Sequence, residues 1–231
     1  MLGAAGECTN NRLEKTKKTM YNPQEVTFRH PALDDAQATL DMMVTRDIAE
    51  YGEADSSLDD LQDQWHDIDL DRDAWLAVSP DDHLVGYAAV FRRDDRFTFD
   101  TYTHPTLAPE GLTSQLLIQC EQRAYEQLDT VQAVTQASAT TYFSLVNLAD
   151  RQAAEALGFE PHKYHFGMRI DLQTKPAPAV FPAGVTVRTV IPGQDDRLVY
   201  DFIQAAFDRP GRIPPTFEQW HDFMMGAQIF E

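Results

Sequence analysis

Basic residues are scarce in this sequence: 19 lysines and arginines stand against 37 aspartates and glutamates, a net charge of −18 over 231 residues. A nucleic-acid binder needs basic surface to displace counterions, so that class is excluded as an expectation. The same field draws cationic partners and repels polyanions. Cysteine is nearly absent. Cys8 and Cys120 are the only two, and neither has a spacing that suggests a metal site. A disulfide framework is thereby excluded, and a reducing cytoplasm fits best. Long apolar runs are also missing, so no membrane span is expected. The first twenty residues, MLGAAGECTNNRLEKTKKTM, place their few apolar side chains before the lysines. That order is wrong for a secretory signal, and residues 1–22 read as a flexible polar arm.

What is present is a pattern that occurs twice. VTFRHPALDDA starts at Val26 and VTVRTVIPGQDDR at Val185. Each reads as a short strand, a turn, an acidic pair and an amphipathic helix. The first helix carries Ala36, Leu40, Met43 and Ile48 at helical spacing, and the second carries Val199, Phe202, Ile203 and Ala206. Each copy continues to a second helix with Trp-His-Asp, at Trp65–Asp67 and Trp220–Asp222. Those helices open on Ser57 with Asp60 and on Thr216 with Gln219, which resemble capping boxes. Between the copies, QTKPAPAVFPAG (Gln173–Gly184) reads as a semi-rigid linker. The organisation expected is an arm at 1–22, a domain at 23–172, a linker at 173–184, and an incomplete second domain at 185–231. That second domain holds a first strand and two helices, and the remainder of it is expected as an intramolecular partner beyond this sequence.

In the first copy, WLAVS, LVGYAAVFRR and FTFDTYTH are separated by short polar turns, which predicts an antiparallel meander. Its apolar density predicts cover on both faces. A helix follows with Leu112, Leu116, Cys120 and Ala124 as its buried stripe. VQAVTQAS (Val131–Ser138) reads as a strand. The next helix ends in AAEALGF, where Gly158 suits a left-handed cap. Tyr164 to Leu172 alternates strictly and predicts a final strand. The order β-α-α-β-β-β-α-β-α-β is α/β (α+β), a mixed central sheet with helices on both faces.

This order, together with THPTLAPEGLTSQLL (Thr103–Leu117) and NLADRQAAEALGF (Asn147–Phe159), resembles the GCN5-related N-acetyltransferase (GNAT) superfamily over Val26 to Leu172, in a tandem arrangement with the second domain cut short. The resemblance implies an N-acetyltransferase with acetyl-CoA as co-substrate and a primary amine of a small molecule or peptide as acceptor. Its alternative is a non-catalytic module that supports a catalytic second domain. In the family a loop of Arg or Gln, two residues, Gly, one residue, and Gly or Ala holds the cofactor's pyrophosphate on backbone N–H groups. Here that loop runs from Ala108 to Thr113. Gly111 matches, while Ala108 and Thr113 depart from the pattern and Pro109 has no N–H. The cofactor set implied is Thr103, Glu110, Gly111, Leu112, Thr113, Ser114 and Asn147. Asn147 also reads as a plain helix N-cap. Glu110 sets a negative charge against a phosphate. The family's tyrosine acid falls at Ala154 and is absent, with Tyr142 as a substitute. Asp100 takes the place of the family's carboxylate base, against a simpler reading as a solvent-facing strand residue. Trp-His-Asp does not share one helix face and reads as packing and surface.

Overall fold

The computed structural model describes residues 23–93, 95–129, 137–166, 168, 170–208, 212 and 214–225. The chain divides into two compact units, Met1–Tyr164 and His165–Glu231. In the first unit the sheet strands are β1 (Thr27–Arg29), β2 (Ala74–Val78), β3 (Leu84–Arg93), β4 (Arg96–Thr103) and β5 (Ser138–Thr141). They lie side by side in chain order. Pairs β1–β2, β2–β3 and β3–β4 are antiparallel, the last two joined by short turns. The β4–β5 pair is parallel, which requires a crossover. Helix α4 (Leu112–Asp129) lies within it.

Helices α1 (Ala36–Tyr51), α2 (Leu58–His66) and the short α3 (Leu70–Asp73) precede β2, and α5 (Leu148–Ala156) follows β5. One core layer joins Ala88, Val90, Phe97 and Phe99 of the sheet to Leu112, Leu116 and Cys120 of α4 and Ala154 of α5. The other joins Leu76, Tyr87 and Ala89 to Met42 and Met43 of α1 and Leu61 and Trp65 of α2. Both faces of β3 are therefore covered, as its apolar run predicts. Each fully buried Leu contributes on the order of 1.5–3 kcal/mol by leaving water. Gly86 lets α4 approach the sheet: a Cβ there would lie 3.0 Å from Leu112 Cδ2 and 3.2 Å from both Ala77 Cβ and Leu116 Cδ1.

The second unit contains α6 (Asp196–Ala206) and α7 (Phe217–Met225). Tyr200 packs edge-on against Phe217 and Trp220, and its hydroxyl donates to the Pro215 carbonyl at 2.7 Å. The entry to α6 repeats the entry to α1 in detail. Arg29 grips Asp35 through both guanidinium nitrogens at 2.7 and 2.6 Å, and Arg188 grips Asp195 at 2.5 and 2.7 Å. Each arginine also donates to the next residue's carbonyl. Each aspartate accepts from a backbone N–H upstream, that of Ala32 or Ile191. The second helices match in their caps too: Ser57 Oγ accepts from Asp60 N, and Thr216 Oγ1 accepts from Gln219 N, both at 3.2 Å.

Two expectations on strands are corrected. No described residue of 164–172 is in a strand, and Phe166, Met168 and Ile170 are exposed. The alternation encodes two faces but names no partner, and a strand forms only where a neighbour completes its ladder. The strand expected from Val185 is likewise not formed. Of the strand expected over Val131–Ser138, Ser138 opens β5, while residues 130–136 lie outside the described residues, as does the arm at 1–22. Helix α1 buries Ala36 and Met43 as expected, with Leu40 half-buried against the same core, but Ile48 is exposed and the buried stripe widens to take in Thr39, Met42, Arg46 and Asp47. Two polar members of that stripe matter for the site. Gly158 is left-handed at φ 90°, as its place after α5 requires.

Candidate functional site

The parallel pairing of β4 with β5 ends at Phe99 opposite Thr141. Beyond it β4 continues through Asp100 to Thr103 without that neighbour. The chain then turns at His104, whose ring Nδ1 accepts from the N–H groups of Thr106 and Leu107 at 3.3 and 3.2 Å. Burial, with His83 nearby, lowers the His104 pKa, which keeps the ring neutral and an acceptor. His104 therefore serves the turn. Gly111, at φ 87°, carries the backbone into α4.

A cavity of about 890 Å³ opens over this loop. Thr103, Glu110, Gly111, Thr113, Ser114 and Asn147 all line it, so six of the seven cofactor candidates come together there. Leu112 does not line it. Its side chain is core at 1% exposure, and its N–H donates to the Pro109 carbonyl at 3.2 Å. The first-turn N–H groups of Gly111, Thr113 and Ser114 have no carbonyl four residues upstream inside the helix, which is the usual basis of an anion cradle.

The rest of the cavity opposes an anion. Thr113 Oγ1 donates to Asp150 Oδ1 at 2.6 Å. Asp150 Oδ2 meets Arg46 Nη2 at 3.0 Å and accepts from Asn147 Nδ2 at 2.8 Å. Asn147 Nδ2 also donates to Glu50 Oε1 at 2.6 Å, and Arg46 Nε reaches the same oxygen at 3.0 Å. Arg46 Nη1 donates to the Thr101 carbonyl at 3.2 Å, on the stretch of β4 that β5 has left. The Arg46, Glu50 and Asp150 side chains are 5, 10 and 9% exposed. One guanidinium thus ties α1, α5, the start of α4 and the edge of β4 together. It faces two carboxylates, and Glu110 adds a third acidic side chain to the lining. No lysine or arginine lines the cavity among the described residues. Asn147 is the N-cap of α5, its Oδ1 accepting from Asp150 N at 3.2 Å, so its polar atoms are spent inside the protein. The donor set does not fit a diphosphate: the Thr113 hydroxyl at the N-terminus of α4 already donates to the chain's own Asp150, and the lining is acidic.

Asp100 lies on the opposite face of β4, half-buried rather than open to solvent as the simpler reading has it. It shares that face with Tyr102, beside Tyr87 of β3. Burial is the main cause that pushes its pKa up to about 6; Arg46 opposes the shift and Asp47 adds to it. Burial also pushes up the Tyr87 and Tyr102 hydroxyls, and the Asp100 charge reinforces both shifts. The Arg46 guanidinium lies 5.3 Å from the centre of the Tyr102 ring. Tyr142 is elsewhere: 62% exposed, it lines a second cavity of about 250 Å³ with Phe159 and Tyr164. Asp100 lines neither this cavity nor the one at Gly111, and Tyr142 does not line the one at Gly111. Trp-His-Asp behaves as packing and surface: Trp65 is 1% exposed, and His66 bonds its own helix at Gln62 O.

Sequence reasoning missed Arg46, Glu50 and Asp150. Arg46 and Asp47 sit on the buried stripe of α1 as charged residues, which was the one available sign. Among the described residues no cluster suited to a metal ion is found, and no helix is long and apolar enough to cross a membrane.

No family model and no curated protein matches the sequence. Among solved structures, the chain matches a GCN5-related N-acetyltransferase from Sphaerobacter thermophilus at 28% identity and TM-score 0.72, covering 89% of this chain and 64% of that one. The chain thus spans less than two thirds of that protein's length. More distant are a GNAT-superfamily phosphinothricin acetyltransferase from Sinorhizobium meliloti (16% identity, TM-score 0.46, 59% of this chain, 75% of that one) and a spermidine N-acetyltransferase from Vibrio cholerae (15%, 0.45, 61% and 83%). In sequence and in fold, the likeness is to the GCN5-related N-acetyltransferases, the superfamily that the stretches around Gly111 and Asn147 resemble.

Proposed function

We propose that the protein to which this chain belongs is an N-acyltransferase that moves an acetyl group from acetyl-CoA to a primary amine of a small molecule or peptide, in the cytoplasm. The supporting observation is the match to the Sphaerobacter acetyltransferase over 89% of the chain, with Gly111 held left-handed between β4 and α4. The acidic balance of the chain favours a cationic acceptor over a polyanion. Acetyl-CoA would supply the activated acyl group. This chain's own contribution is at Asp100, a carboxylate with a pKa of about 6 that can take a proton from an ammonium near neutral pH.

The acidic cavity favours a second statement about where transfer occurs. In this alternative the first unit is a supporting module, Asp100 takes no part in transfer, and transfer belongs to a second GNAT-like domain that starts near Val185. The repeated clamps Arg29–Asp35 and Arg188–Asp195 support that duplication. The test is release of free thiol from acetyl-CoA by the protein against a panel of primary amines. Amine-dependent release is expected. A protein that releases no thiol with any amine while remaining folded overturns the reading.

A further inference from the structure

We infer that the cleft of the first unit is closed to the diphosphate of CoA by an internal latch, with Asp150 as its bolt. The inference rests on the reading of the protein as an acyl-CoA enzyme and states which part of it does not hold the cofactor.

The start of α4 is the natural anion site of this fold, because first-turn N–H groups and the helix dipole both favour negative charge there. A carboxylate satisfies that preference as a phosphate does. Asp150 reaches the helix start from α5 and accepts the Thr113 hydroxyl at 2.6 Å, a short bond to a charged acceptor. The same carboxylate is held from behind by Arg46 at 3.0 Å and Asn147 at 2.8 Å. Arg46 and Asp150 are nearly buried, and breaking a buried pair by removing one member is costly. A diphosphate would have to displace Asp150 from Thr113 and then lie beside it, with Glu110 also near. Two like charges at such range in a partly buried site repel strongly. Arg46, the basic group that holds Asp150, is already spent on Glu50, Asp150 and the Thr101 carbonyl.

Pro109 and Ala108 point the same way. Pro109 has no N–H to offer, and the Ala108 N–H donates to the His104 carbonyl at 3.2 Å. Latch and loop are consistent: donors that a phosphate would use are absent, turned inward, or set beside a carboxylate.

The experiment is hydrogen exchange at the amides of Gly111 to Ser114 in the intact protein, with and without about 1 mM acetyl-CoA, a level at which a ligand of ordinary cofactor affinity protects its site. The wild type is expected to show no added protection. Asp150→Ser frees the helix start, and the charge reversal Glu110→Lys at an exposed position gives a second route should Asp150→Ser fail to fold. Protection is expected to rise in Glu110→Lys and further in a folded Asp150→Ser. Protection of these amides in the wild type overturns the inference. So does a loop left unprotected in folded forms of both variants, since the latch is then not what excludes the ligand. Thiol release measured on the same samples separates the two readings. Transfer with an unprotected loop supports both. Transfer with a protected loop overturns only the latch. Loss of transfer with an unprotected loop supports the latch and counts against the acyltransferase assignment alone.

Discussion

The indole N–H of Trp65 donates to the hydroxyl of Tyr87 at 2.9 Å, across a contact in which both side chains are at most 1% exposed. The bond joins α2 to β3 and satisfies the two polar atoms that these large aromatics bring into the core. A buried aromatic with a polar tip needs such a partner.

Trp65→Phe is expected to cost more than its lost volume. It leaves the Tyr87 hydroxyl buried without its indole partner, which adds about 1–3 kcal/mol to the loss. Tyr87→Phe in the same background should recover part of that, because both polar atoms are then gone. Urea unfolding of the two single variants and the double variant measures it. A strictly additive double variant rules out the coupling.

How much of this was legible in the sequence depends on range. The stripe Leu112, Leu116, Cys120 and Ala124 was readable because helical periodicity is local, and all four are buried. Gly158 and the caps at Ser57 and Thr216 were readable because turns and caps use fixed chemistry within a few residues. The latch was not. Arg46, Asn147, Asp150 and Thr113 come from three different helices and the turn before α5, and no local pattern pairs them. Asp100 illustrates the limit. The alternation in FTFDTYT places it opposite Phe97 and Phe99, a face that reads as solvent until α1 brings Arg46 and Asp47 over it. The strand expected over 164–172 fails for the converse reason: alternation is a necessary mark of a strand, but the ladder needs an available edge.

The raised pKa of Asp100 gives a pH test with a fixed sign. Its folded-state value is about 6, against 3.8 for the ordinary carboxyl. Between those two values the folded state binds the proton more tightly than the unfolded state, so this group's contribution falls as pH rises and stays unfavourable above about 6. Asp100→Asn should therefore stabilise the protein at pH 8, by on the order of 1–3 kcal/mol. The gain should shrink as pH falls through 6 and vanish below the ordinary carboxyl range. Thermal melts of both proteins across that window measure the difference. A gain that does not change with pH means that Asp100 is not the titrating group.

Gly86 and Gly111 should respond to alanine for different reasons. At Gly86 the backbone is ordinary but the space is filled, so Gly86→Ala pushes α4 off the sheet at a cost of about 1–3 kcal/mol. At Gly111 nothing lies within 4 Å of the place an added methyl group would take, yet φ is 87°. Gly111→Ala should cost roughly 1 kcal/mol from the left-handed backbone alone. Asn should be milder than Ala at Gly111 and worse at Gly86. Denaturant midpoints of the four variants check this, and an Asn no milder than Ala at Gly111 removes the backbone explanation.

The last expectation concerns the second unit. Aligning the clamps sets Asp195 against Asp35, so Phe202 and Phe207 of the second unit correspond to Met42 and Asp47 of the first. In the first unit those positions are 4 and 3% exposed: Met42 packs against Leu76, Tyr87 and Ala89 of the sheet, and Asp47 accepts from Asp55 N and Ser56 Oγ. In the second unit Phe202 and Phe207 are 71 and 66% exposed, and no described residue from His165 onward is in a strand. The local helix signals are sound: Gln219 caps α7 with Thr216, and α6 is entered through the Arg188 clamp. Helices of this length nevertheless take most of their stability from packing of one face, which here centres on Tyr200, Phe217 and Trp220. Local opening should then require little free energy, since few buried contacts are lost with it. Amides from Val199 to Ala206 and from Trp220 to Met224 are expected to exchange far faster than those of Val85 to Phe91, where β3 is hydrogen-bonded on both sides. A dye that binds exposed apolar surface should show the same face, and Phe202→Ser should reduce its signal while leaving exchange in β3 unchanged. Protection of α6 and α7 as strong as that of β3 would show that the apolar face is covered in solution, and the instability expected of this unit would be wrong.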